Sequence, residues 1–118
     1  MKFALLLYED DAERIAKSDA EVGLCLAYAA AMEKAGILVG GERLRPAETA
    51  ATVRIAAGGT RVLDGPYAEA KEQLGGFHLI DVPDLDTALA WARRCPSAQR
   101  GRVEVRAIYG GFKISVDV

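Results

Sequence analysis

The residues best placed to do chemistry gather between Asp64 and His78. Asp64-Gly65-Pro66 sets a carboxylate at the start of a rigid turn. Tyr67, Glu69, Lys71 and Glu72 follow, before the pair Gly75-Gly76 opens the next apolar run. Loops of this kind carry functional groups more often than cores do. His78 is the single histidine of the chain, and an imidazole with an ordinary pKa of about 6.5 suits proton transfer near neutrality. Asp64 could orient or charge that imidazole if the turn brings the two together. Tyr8, Arg54 and Arg106 stand in extended segments elsewhere. With Asp64 and His78 they would form a small polar pocket of positive character, with Tyr67, Glu69 and Lys71 as further substrate-binding groups. Such a pocket suits a carboxylated organic molecule: an arginine clamps it while Asp64 or His78 moves a proton, which is isomerase or lyase chemistry.

Other chemistries find little support. A lone histidine excludes a multi-histidine metal centre, and no dedicated set of carboxylates replaces it, so neither metal nor cofactor is expected. The glycine pairs lack the strand–GxGxxG–helix context of a dinucleotide site. No GxSxG occurs, and Ser18, Ser97 and Ser115 fall at a cap, a loop and the tail. Cys25 and Cys95 are far apart and lack CxxC spacing, so buried free thiols are expected.

The elements that must hold these groups are legible from pattern. Lys2 to Tyr8 reads as a strand that is apolar on both faces, with Phe3, Leu5 and Leu7 against Ala4, Leu6 and Tyr8. Asp10 to Lys17 has room for one helical turn. Ser18 and Glu21 match a capping box, Val22, Cys25, Leu26, Ala29 and Met32 follow at helical spacing, and Gly36 supplies the stop, which predicts a helix over about 19–35. Ile37 to Leu44 reads as a strand with a bulge at Gly40-Gly41. Thr52 to Ala57 and Arg61 to Leu63 flank Gly58-Gly59 as a hairpin. Tyr67 to Gln73 has the look of a short helical turn. Gly76 to Val82 is a strand in which Phe77 and Leu79 oppose His78 and Ile80. Pro83-Asp84 caps a second helix whose stripe is Leu85, Ala88, Leu89, Ala92 and Cys95. Arg102 to Ile108 alternates as a last strand, and Phe112, Ile114, Val116 and Val118 continue the alternation in the tail.

Without the hairpin the order is strand, helix, strand, strand, helix, strand: the split βαβ pattern of a ferredoxin-like α+β fold. It predicts two helices on one face of an antiparallel sheet and an open face opposite. Since the first strand is apolar on both sides, that open face calls for a cover, and a homodimer through it is the expected one; a hairpin or tail folded back is the alternative. With 118 residues the chain is the size of one domain, with its core over about 1–108 and a tail over 109–118. The 51% hydrophobic and 27% charged residues fit a globular protein rather than a disordered one. A net charge of -2 with no Lys/Arg run argues against nucleic-acid binding. The apolar run Phe3 to Tyr8 is too short for a signal peptide or a membrane span, so a cytoplasmic location is expected.

The stretch Asp64-Gly65-Pro66-Tyr67-Ala68-Glu69-Ala70-Lys71-Glu72, followed by Gly75-Gly76-Phe77, closely resembles the DGPF signature of the YCII-related (DGPF-domain) family. Val39-Gly40-Gly41-Glu42, Ile80-Asp81-Val82, Ala88 to Trp91 and Val103-Glu104-Val105-Arg106 are similar too. The resemblance covers the chain to about Ile108 and implies a dimeric α+β barrel. In that superfamily are muconolactone isomerases, chloromuconolactone dehalogenases and cofactor-free monooxygenases. For YCII-type proteins it implies an enzymatic reading tied to a His–Asp pair in a cleft. For the DGPF branch it implies a link to extracytoplasmic-function sigma factors, which offers the alternative of a non-catalytic dimer that binds a ligand or a protein. Tyr67 departs from the signature's Phe. His78 stands where this branch often carries an aromatic residue, so it is not equated with the YCII histidine.

Overall fold

The computed structural model describes residues 1–110; the tail alternation of Phe112, Ile114, Val116 and Val118 lies outside them. In chain order the elements are β1 (Lys2–Asp10), α1 (Asp11–Ile15), α2 (Asp19–Lys34), β2 (Leu38–Arg43), a 3-10 turn (Ala47–Thr49), β3 (Ala51–Ala56), β4 (Gly59–Asp64), β5 (Glu72–Asp81), α3 (Leu85–Arg94), α4 (Ser97–Arg100) and β6 (Arg102–Ala107). The four-stranded sheet runs β2-β5-β1-β6, all pairs antiparallel, and β3-β4 forms a separate hairpin. This is the ferredoxin-like α+β architecture with an inserted hairpin.

Local chemistry sets the helix limits. Asp10 accepts from the Glu13 amide at the start of α1, Ser18 from the Glu21 amide at the start of α2, and Asp84 from the Thr87 amide at the start of α3, each satisfying an orphan donor of the first turn. After α2 the chain reverses through Gly36, whose φ of 72° only glycine adopts cheaply. Glu21 is further held by an ion pair with Arg100 of α4.

Strand parity decides which groups meet the helices. Phe3 and Leu5 of β1 and Ile80 of β5 are fully buried beneath Tyr28, Met32, Ala88, Ala92 and Cys95. Phe3 pairs with Ile80, and Leu5 pairs with His78. Facing partners in an antiparallel ladder project to the same side, so His78 points to the helices. Ala4, Leu6 and Tyr8 project the other way, with Phe77, Leu79, Glu104 and Arg106.

Three details differ from the sequence reading. Tyr67 to Gln73 forms no helix; β5 begins already at Glu72, and the segment before it is irregular. Val22 and Leu26, expected in the buried stripe of α2, are 41% and 67% exposed, while Tyr28 and Met32 carry that contact. A mostly apolar, alanine-rich helix gives little periodicity by which to choose its inner side. Finally, β3-β4 stands apart from the main sheet, and among the described residues no other element packs extensively on it.

Candidate functional site

A cavity of about 450 Å³ opens between α2 and the helix side of the sheet, within reach of α4. Its polar wall holds Glu9 and His78 from the sheet, Arg14 and Lys17 from the α1 region, Cys25 and Tyr28 from α2, and Ser97 from α4. Glu9 and His78 mark its two ends. Glu9 lies four residues along β1 from Leu5, the partner of His78, a strand length of about 13 Å. The facing residue between them is Gly76, opposite Leu7, and its missing side chain leaves the gap.

The glycine pair also seats Arg14. Leu7 pairs with Gly76 and Tyr8 with Leu74, so Gly75 is the extra residue of a β-bulge. A Cβ on Gly75 would lie 2.6 Å from Arg14 Nε, and one on Gly76 would lie 2.8 Å from the Glu42 carbonyl oxygen. Arg14 is 3% exposed, yet well partnered. It donates to Asp11 Oδ1 at 3.0 Å and to the Leu44 carbonyl at 2.9 Å, and Asp11 Oδ2 accepts from the Ala47 amide at 2.7 Å. A buried charge with this many partners is held in place.

Glu9 is less well satisfied. It is 2% exposed. Its Oε2 accepts from Ser97 Oγ at 3.1 Å and from Lys17 Nζ at 3.5 Å, while its Oε1 is enclosed with no partner among the described residues. The Lys17 ammonium also donates to Cys25 Sγ at 3.8 Å, so one cation is shared between a carboxylate and a thiol. Unpaired buried acceptors are costly.

Burial lowers the pKa of His78 below its ordinary value, which keeps the ring unprotonated at neutral pH. Tyr28 meets it edge-on, ring centres 5.8 Å apart. The Tyr28 hydroxyl donates to the Trp91 carbonyl at 2.7 Å, and burial pushes its pKa up. It is a fixed wall rather than an acid or base.

The residues singled out from sequence divide among three places. His78 alone lies on this cavity. Tyr8, Tyr67 and Lys71 line a wider cavity of about 1290 Å³ across the sheet, roofed by the Pro66–Leu74 segment. There Tyr8 donates to Glu104 Oε1 at 3.4 Å, and Arg106 donates to Glu104 Oε2 at 2.5 Å. Arg54 sits on the hairpin directly opposite Arg61, and Asp64 closes the hairpin opposite Ala51. Glu69 is exposed in the loop. Asp64, Glu69 and Arg54 line neither cavity. The shared face expected for Tyr8, His78 and Arg106 therefore does not form, because parity sends His78 to the opposite side. Within the described chain Asp64 does not reach His78 either, since it belongs to the projecting hairpin. Glu9, Arg14, Lys17 and Cys25 were not singled out from sequence. The signal available for Arg14 was Gly75-Gly76, a place where something bulky must pass close to the backbone.

Comparison with known proteins agrees with this architecture. A solved structure of 5-chloro-2-hydroxyhydroquinone dehydrochlorinase (TftG) from Burkholderia phenoliruptrix AC1100, in complex with 2,5-dihydroxybenzoquinone, matches with a TM-score of 0.54 at 15% identity, over 94% of this chain and 96% of that one. At that identity the likeness concerns the α+β fold alone. An uncharacterized protein of Rhizobium meliloti (strain 1021) is 42% identical over 114 residues, 92% of each chain. The model of the YCII-related domain matches residues 1–110. The chain belongs to the YCII-related domain family.

Proposed function

We propose that the protein is a homodimeric enzyme that moves a proton on a small, acidic organic molecule held in the helix-side cavity, with His78 as the base. The observation that carries this reading is a neutral, half-buried imidazole on the wall of a cavity that also holds Lys17 and Arg14. The volume falls in the usual range for small-molecule sites. An imidazole kept unprotonated by burial takes a proton from a saturated carbon next to a carbonyl, as in the keto tautomer through which a hydroxyquinone ring exchanges its hydrogens. An acidic group of the ligand that reaches the Glu9 end of the cavity meets Lys17 there, which orients the molecule. TftG, which shares the fold, is described with 2,5-dihydroxybenzoquinone, a flat acidic ring of the size this cavity admits. On this reading Glu9 closes the far end of the cavity and does not take the orienting role that the sequence gave to Asp64.

The dimer forms through the open sheet face. Tyr8, Tyr67, Lys71 and Arg106 then belong to the space between copies, where they bind and orient rather than react. Support comes from the hairpin: Val53 pairs with Val62, and Ile55 lies two residues on, giving one apolar side to a ribbon exposed in the single chain. A two-stranded ribbon holds its shape only against something else.

Exchange of the ring hydrogens of 2,5-dihydroxybenzoquinone for deuterium, followed by proton NMR in heavy water, tests the assignment. Acceleration by the protein that falls about 100-fold or more in His78→Gln is expected. Acceleration that survives in His78→Gln removes His78 from the role. Binding of the ring without any acceleration leaves the chain a ligand-binding dimer instead.

A further inference from the structure

Cys25 is the one thiol on the cavity wall that is only half-buried; Cys95, on the same wall, is 2% exposed and burial pushes its pKa up. Three features mark the cavity wall around Cys25. A cation stands beside its sulfur, Lys17 Nζ at 3.8 Å, close enough to stabilise the negative charge that passes from sulfur to the carbonyl oxygen during an addition. The Glu9 side chain that shares this cation is buried on the same wall with Oε1 unpartnered. Val22 and Leu26, beside Cys25 on α2, line the same cavity while largely exposed, so the way in is apolar. Polarised sulfur behind an apolar mouth suits a flat, electron-poor carbon skeleton.

We propose that Cys25 is a nucleophile of this cavity and adds reversibly to α,β-unsaturated carbonyl compounds, enones and quinones among them. In the forward step the Cys25 thiolate attacks the β-carbon. A C–S bond forms, the π pair of the C=C bond moves onto the carbonyl oxygen, and the resulting enolate takes up the proton the thiol had released to solvent. In reverse, that proton leaves, the C=C bond re-forms and the thiolate departs. Nothing is oxidised or reduced, and no co-reactant is consumed. The inference rests on the reading of the cavity as a small-molecule site and names its ligand class, but it does not need His78 to act.

Labelling of the whole protein with N-ethylmaleimide, read by intact mass and peptide mapping, tests it. One adduct is expected at Cys25, formed faster than glutathione reacts at the same pH. Lys17→Met should slow the reaction several-fold. Glu9→Gln should speed it, because the carboxylate no longer competes for Lys17. These opposite signs separate a local charge effect from unfolding, which would label Cys95 as well. Pre-incubation with 2-cyclohexenone should slow labelling, and dialysis should restore it. Labelling of Cys25 no faster than glutathione, indifference to both substitutions, or no protection by cyclohexenone would overturn the proposal. Unchanged labelling in His78→Gln, together with a lost exchange activity, would leave it standing while separating the two roles.

Discussion

Burial lowers the pKa of His78 from 6.5, and this ties the stability of the protein to pH with a definite sign. The unfolded chain takes up a proton at His78 near pH 6.5 and the folded chain only at a lower pH, so unfolding absorbs a proton between the two values. Above pH 6.5 the histidine costs nothing in this respect. As pH falls below it, stability is lost until the folded pKa is passed, where the loss levels off. The melting temperature of the native protein should therefore drop more between pH 7 and pH 5 than that of His78→Gln, by differential scanning calorimetry. Equal slopes would show that the ring is not desolvated as described. The acid limb of any His78-dependent rate should likewise lie below pH 6.5, since the neutral ring is the working form. Glu9 and Arg14 make a contrast at the same scale. Both are almost wholly buried, but Arg14 has its donors engaged while Glu9 keeps one bare oxygen.

Among the elements, the bulge in β5 has the largest local consequence. Gly75→Ala would drive a methyl group into the Arg14 side chain, 2.6 Å from Nε. Arg14 cannot simply swing clear while Asp11 and the Leu44 carbonyl hold it. Overpacking of this sort costs about 1–3 kcal/mol, measurable as a lower midpoint in urea. An unchanged midpoint would mean that Arg14 is free to leave its seat. Much of this level was legible in the sequence. The Ser18 and Glu21 pair placed α2, Asp84 placed α3, and the alternation around Phe77 and His78 placed β5, because caps and strand parity are local properties of a few consecutive residues. The site was legible only in part. His78 was visible as the one imidazole, and its parity with Ile80 was readable, but nothing local said that Tyr8 faced the other way. Glu9 stands beside Asp10 and Asp11 at the charged end of β1, where nothing local announces burial. Its burial is created by Ser97, which arrives from a short helix 88 positions later. Asp64 was drawn to His78 by nearness in sequence, and the intervening hairpin and loop carry it elsewhere.

For the molecule as a whole, the hairpin is the part that a single chain leaves unexplained. The radius of gyration is 16.2 Å, against about 13–14 Å for a compact domain of this length. Ile55 is 79% exposed, and Arg54 faces Arg61 across the ribbon, a like-charge pairing that weakens it. If a second copy covers this ribbon, Ile55→Asp combined with Val62→Asp should shift the protein from dimer to monomer in sedimentation velocity, while the circular dichroism of the main sheet persists. A protein that sediments as a monomer before any substitution would remove the dimer. Tyr8 and Glu9 are neighbours on β1, one lining the wide cavity on the open side and the other closing the narrow one beneath the helices. A single peptide unit is the whole partition between them. If copies pair across the open side and a ligand reacts beneath the helices, both are fastened to the same rigid strand, and neither can then be adjusted, by evolution or by design, without moving the other.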